Sequence, residues 1–220
     1  MARNGNRYMA LGHSVILHCI WFQIVKERIP GKVMDQIIRQ RIEEHMEVLQ
    51  KLSASDLPLK LERCAKSVEQ ALAEGHKVLF CGNGGSAADS QHLAAEFVGR
   101  FQKERKGLPA VALTVDTSIL TAIANDYGYE TVFARQVQAL GEVGDVLVGI
   151  STSGNSKNVL LAIKEAEEKG ITCIGMTAEG GGKMADECDI CLAVPAKVTA
   201  RAQEMHILLG HILCELVDHE

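Results

Sequence analysis

Residues 77–92 read KVLFCGNGGSAADSQH, and the reading of this stretch decides the fold. Lys77-Val-Leu-Phe-Cys81 is a short apolar run without alternation, the pattern of a parallel strand buried on both faces. Gly82-Asn-Gly-Gly-Ser86 interrupts it, and residues 87–98 continue as a helix. A strand that runs through glycines directly into a helix is the first half of a β-α unit. The glycines let backbone approach a ligand closely, and the first amides of a helix favour an anion. No lysine follows in the P-loop spacing, and no clean dinucleotide fingerprint is present. A small phosphate therefore suits this turn better than a nucleotide.

The same grammar extends outward. Residues 109–113, 145–150, 172–176 and 190–194 read as further strands. Helices are expected over 118–124, 131–140, 157–168 and 200–217, and two amphipathic helices precede the first strand, over 35–52 and 59–74. Strands alternating with helices specify an α/β protein with a five-stranded, mostly parallel sheet flanked by helices, here carrying an N-terminal helical hairpin. No linker divides residues 34–220, which read as a single domain.

Composition agrees. The chain has 220 residues, 47% hydrophobic and 23% charged, which is ordinary for one globular core and excludes a disordered or coiled-coil chain. A net charge of -5 with 4% aromatic residues argues against nucleic acid as a partner. The seven cysteines are odd in number and most lie in apolar runs, as in a reducing, cytoplasmic setting. Cys188-x-x-Cys191 lacks the second pair of a zinc site and reads as strand residues. Residues 1–33 stand apart. Arg3 and Arg7 precede an apolar run over 14–25, but His18 and Gln23 interrupt it. It has no small-residue cleavage site and is too short for a confident membrane span. They are expected to be an extension outside the domain, with translation starting at Met34 as one explanation.

A second polar turn follows the strand at 145–150: Ser151-Thr-Ser-Gly-Asn-Ser156. One serine suffices to cap a helix. Four hydroxyls at a helix start suit a phosphomonoester, and both turns lie at the carboxyl ends of strands, where open α/β sheets bind ligands. On the first helix, His92 and Glu96 share a face at i and i+4, a spacing that serves a metal or an exposed surface alike. The last helix carries Gln203, Glu204, His206 and His211. Periodicity leaves open which of them faces a site.

Five segments occur in order: Cys81-Gly-Asn-Gly-Gly-Ser86, His92-x-x-x-Glu96-x-x-x-Arg100, Ala124-Asn-Asp-Tyr-Gly128, Gly149-Ile-Ser-Thr-Ser-Gly-Asn-Ser156 and Ala200-Arg-x-Gln-Glu-x-His206. Together they resemble a sugar isomerase (SIS) domain and, more narrowly, the phosphoheptose isomerase family, from about Met34 to the C-terminus. The resemblance implies the three-layer SIS fold and a cytoplasmic enzyme. Its reaction would convert D-sedoheptulose 7-phosphate to D-glycero-D-manno-heptose 7-phosphate for bacterial lipopolysaccharide. It also implies a homotetramer with active sites at subunit interfaces and one zinc per subunit, held by His92, Glu96, Gln203 and His211. Asn83, Gly84, Gly85, Ser86, Arg100, Asp126, Ser151, Thr152, Ser153, Ser156 and Gln203 would bind the substrate. Aldose–ketose interconversion moves a proton between C1 and C2 through an enediol. Glu96 is expected to act on carbon, and His211 to move protons on oxygen. Ala200 stands where some relatives carry Asp, which puts one sugar-hydroxyl contact in doubt. The alternatives are a non-catalytic SIS regulator that binds the replication initiator protein and another phosphosugar isomerase. Glu96 and His211 favour the heptose enzyme over the regulator.

Overall fold

The computed structural model describes residues 31–218, so the expectations for residues 1–30, Cys19 included, lie outside the described residues. Helix α1 spans Gly31–Ser53 and α2 spans Leu57–Ala73. Helix α1 includes residues 31–34 ahead of its expected first residue, and Val33 and Met34 prolong the same three- and four-residue apolar spacing backward. By internal contacts the chain divides after Glu44. The N-terminal unit contains the first turns of α1, where Arg39 pairs with Asp35 at 2.9 Å. The remainder holds the sheet.

Five strands alternate with helices as expected. They are β1 (Val78–Gly82), β2 (Ala110–Ala112), β3 (Val146–Ile150), β4 (Thr172–Thr177) and β5 (Ile190–Ala193). The intervening helices are α3 (Gly85–Val98), α4 (Thr117–Tyr127), α5 (Ala134–Leu140), α6 (Lys157–Glu168) and α7 (Met184–Glu187), and α8 (Thr199–Asp218) closes the chain. The sheet order is β2-β1-β3-β4-β5, and every pairing is parallel. The expected helix over 131–140 divides instead. Gly128, at φ 94°, ends α4, a 3-10 turn occupies Tyr129–Thr131, and α5 begins only at Ala134. Val132 and Phe133 between them are buried in the core, which turns the chain inward at that point.

The layers follow from strand alternation. Val78 and Phe80 face one core with Leu61, Val68, Leu93, Phe97, Met205 and Leu209, from α2, α3 and α8. Leu79 and Cys81 face the other with Val137, Val159 and Ile163, from α5 and α6. The sheet is thus sandwiched between two helical layers. Asp145, fully buried, ties the starts of the two central strands. It accepts from the Lys77 amide at 2.9 Å and the Glu142 amide at 2.8 Å and pairs with Lys77 Nζ at 2.8 Å. The opposite ends of β1 and β3 carry the two polar turns.

Candidate active site

Strands β1 and β3 are neighbours, with Cys81 opposite Gly149 and Gly82 opposite Ile150. From β1 the sheet continues to β2 on one side and to β3 on the other, so the two turns leave at the topological switch point, where open α/β sheets bind ligands. In the first turn Gly84 has φ 56°, a conformation that glycine adopts without strain. It is the N-cap of α3, and no side chain caps that end. A Cβ on Gly82 would lie 2.7 Å from the Ser86 carbonyl oxygen, so the turn closes this tightly only with glycine there.

In the second turn Ser156 is the N-cap of α6, yet its hydroxyl makes no capping bond. It meets the Ser151 hydroxyl at 2.8 Å, and Ser153 stands 3.3 Å from Ser151 on its other side. The Ser153 hydroxyl also accepts from the Asn155 amide at 3.1 Å. The hydroxyls of Ser151, Ser153 and Ser156 therefore cluster at the start of α6. Residues 180–182, three consecutive glycines with positive φ, brace this turn from outside. The Lys183 amide donates to Asn155 Oδ1 at 3.2 Å and the Met184 amide to the Gly154 carbonyl at 3.1 Å. The Glu179-Gly-Gly-Gly-Lys183 run is the sequence signal for this brace.

The seam between α3 and α8 assembles the other candidates. His92 Nε2 lies 2.8 Å from His211 Nε2, and Glu96 Oε1 lies 3.6 Å from His92 Nε2. Gly210 permits the approach, since a Cβ there would lie 2.6 Å from the Leu93 side chain. Phe101 stacks on His211 with ring centroids 5.6 Å apart. Asp218 holds the segment bearing Phe101. It accepts from the Gln102 amide at 2.8 Å, the Lys103 amide at 3.2 Å and the Arg105 guanidinium. Arg105 in turn donates to the carbonyls of Phe97 at 2.9 Å and Glu96 at 3.1 Å, closing the end of α3. Burial works to raise the Asp218 carboxyl, but these donors outweigh it and hold the group below the usual range. Phe101, Arg105 and Asp218 are contributions that spacing alone did not reveal.

The structure separates the histidines of α8. His206 is fully buried, with Nε2 3.0 Å from the Thr177 carbonyl, and burial lowers its pKa. It belongs to the core, and His211 faces the site. Glu204 is engaged by His45 at 2.8 Å and by Arg201. Gln203 does not join the histidine pair. Its side-chain amide lies against Gly85, where any Cβ would overlap it, at the first turn of α3. Arg100 is exposed and pairs with Glu104 at 3.4 Å, and exposed Asp126 accepts from Asn125 at 2.9 Å, so neither is held at the turns. Among the described residues no group of three or more His, Cys, Asp and Glu side chains is arranged to hold a metal ion. The chain itself supplies two converging imidazoles flanked by one carboxylate. Two ring nitrogens at this distance require one to carry a proton and the other a lone pair, or both to face a shared cation.

The SIS domain family model matches residues 41–178. The phosphoheptose isomerase of Nitratidesulfovibrio vulgaris is 66% identical over 148 residues, covering 67% of this chain and 71% of that protein. That of Rhodospirillum rubrum is 56% identical over 173 residues, covering 76% and 92% respectively. Among solved structures, the phosphoheptose isomerase of Neisseria gonorrhoeae superposes with a TM-score of 0.80 at 46% identity, covering 85% of this chain and all of that one. The chain is a SIS-domain protein. Within that class it belongs to the phosphoheptose isomerase family.

Proposed function

We propose that this protein is an aldose–ketose isomerase that converts D-sedoheptulose 7-phosphate to D-glycero-D-manno-heptose 7-phosphate. The observation that carries the chemistry is the placement of Glu96 and His211 on one open seam, a carboxylate beside an imidazole pair. Glu96 removes the proton from one carbon and returns it to its neighbour, and His211 moves protons between the oxygens. The Ser151 and Ser156 hydroxyls, with the first turn of α3, hold the phosphate.

The geometry also supports sites shared between copies of the chain. Gly85 and Glu96 are eleven residues apart on α3, about 16 Å along the axis. An extended seven-carbon sugar phosphate spans roughly 10 Å at C–C bonds of about 1.5 Å. Glu96 of the same protomer lies beyond that span, which supports a carboxylate supplied to the substrate by a second protomer. Helix α1 exposes Met34, Ile37, Ile38, Ile42, Met46 and Leu49, an apolar face suited to association. A homotetramer is the form this reading assigns, and Arg100 and Asp126 would reach substrate only in it.

Zinc is the metal proposed for the histidine pair. Imidazole and carboxylate donors suit it, with His92 and His211 holding it and Glu96 and Gln203 completing the set. Gln203 lies at the other end of α3 in this chain, so the fourth donor requires side-chain movement or the assembled oligomer. When bound, the ion would polarise the substrate carbonyl. No described helix is long and apolar enough to cross a membrane. The six described cysteines are free thiols, which suits a reducing cytoplasm. Its product would supply heptose for a bacterial surface polysaccharide.

The test is incubation of purified protein with sedoheptulose 7-phosphate followed by NMR, with added zinc and with a chelator, alongside sedimentation. Appearance of the aldose supports the reading. Binding of the sugar phosphate with no turnover under either condition overturns it in favour of the non-catalytic regulator.

A further inference from the structure

The two phosphate-seeking turns are joined by a contact that neither motif announces. Asn83, in the first turn, and Asn158, the second residue of α6, exchange amide hydrogen bonds. Asn83 Nδ2 donates to Asn158 Oδ1 at 2.9 Å, and Asn158 Nδ2 donates to Asn83 Oδ1 at 2.8 Å. The Tyr129 hydroxyl donates to the same Asn83 oxygen at 3.3 Å. Asn158 is buried, and Tyr129 is exposed.

The donor and acceptor count limits what Asn83 can do. A side-chain amide offers two lone pairs on oxygen and two N–H groups. Asn158 and Tyr129 fill both lone pairs, and Asn158 takes one N–H. One N–H remains for a ligand. Asn83 is thus mainly a strut, and Asn158 completes it from the opposite turn. The pairing spans the switch point, where β1 and β3 diverge into helices and where no backbone ladder continues beyond Gly82 and Ile150. It is the side-chain link that sets the spacing between the glycine turn and the serine turn.

We infer that Asn158, with Tyr129, is a positioning residue that fixes the separation of the two turns and thereby sets affinity for the substrate's phosphate, with no part in proton transfer. This rests on the phosphosugar reading of the site. It assigns the cross-link to binding because the pair lies at the turns, whereas Glu96 and His211 lie at the far end of α3.

The experiment measures steady-state isomerisation of sedoheptulose 7-phosphate and competitive inhibition by inorganic phosphate for the full-length wild type, Asn83→Ala, Asn158→Ala, the double variant and Tyr129→Phe. Asn158→Ala is expected to raise KM and the phosphate inhibition constant together by about tenfold, the scale of a lost buried hydrogen bond, with kcat within about threefold. The double variant should be little worse than either single, because both remove one link. Tyr129→Phe, which deletes one hydroxyl from an exposed ring, should raise both constants about two- to threefold. It carries the test if the alanine variants do not fold. Unchanged KM and phosphate inhibition, losses confined to kcat, or additive losses in the double variant each overturn the inference. A wild type that binds no phosphate fails the phosphosugar reading instead, and the two failures are thereby distinguished.

Discussion

At its N-terminus α3 begins in Gly84, Gly85 and Ser86, within four residues of Asn83. Seven residues past Gly85, His92 meets His211, which is 119 residues from it in sequence, and Glu96 stands beside His92 one turn further along. The first end is a local device: a glycine turn and uncapped amides that attract an anion wherever a strand delivers them. The second exists only because Gly210 lets α8 settle against Leu93 of α3. One helix therefore carries two kinds of site. The anion end is tolerant in chemistry and strict in backbone shape. The seam is strict in chemistry and depends on long-range packing.

Each end can be broken separately. Glu96→Gln has the largest expected effect. It should lower kcat by about 10²–10⁴, the range of a lost general acid–base, while KM stays within about threefold. Steady-state kinetics with a binding measurement on the same preparation check this, and wild-type turnover would place the carbon base elsewhere.

Gly154→Ala tests the strictness of the serine turn. Its φ is 62°, and an added Cβ would overlap the Gly181 carbonyl, so backbone of the bracing loop must move. A loss of about 2–4 kcal/mol in unfolding free energy is expected, read from urea titration. A loss below about 0.5 kcal/mol, the ordinary surface value, would show that the brace is soft.

The buried histidine of α8 sharpens the comparison through pH. Burial holds the folded-state pKa of His206 below the 6.5 of the unfolded chain. Just below pH 6.5 the unfolded state binds a proton that the native state refuses, so stability falls as pH falls through that window. The slope approaches about 1.4 kcal/mol per pH unit for one proton. His206→Gln should flatten this slope just below pH 6.5 in urea midpoints. Equal slopes in His206→Gln and the wild type would assign the acid sensitivity to other groups.

Gly85→Ala is expected to do least. The added Cβ meets the far end of the Gln203 side chain, which can swing away, so stability should change by less than about 1 kcal/mol in the same titration. A larger loss would show that Gln203 is fixed at the turn and cannot reach the histidine pair.

Much of the fold was legible because strand burial on both faces and helical spacing are properties of contiguous residues. All five strands and both polar turns could be placed this way. The division at Tyr129–Thr131 was not, because it depends on Val132 and Phe133 finding a buried place that local periodicity does not record. Of the candidate site residues, Ser151 and Ser156 meet within their own turn, a contact between near neighbours in sequence. Gln203 was grouped with His211 by its motif, yet it packs against Gly85. Arg100 and Asp126 are held at neither turn.

The sequence by itself determined the alternation of strands and helices and the polar, glycine- and serine-rich make-up of the two turns. Those rest on backbone geometry and on side chains a few residues apart. Only the tertiary structure decided that His211 and not His206 faces the site, and that Asn158 links the turns. It also showed that Glu96 stands about 16 Å from the first turn along α3, beside the contact between His92 and His211. These are distances between side chains far apart in the chain or turns apart along a helix. Hydrophobic packing sets most of them by closing helices onto the sheet, without regard to the motifs it brings together or holds apart.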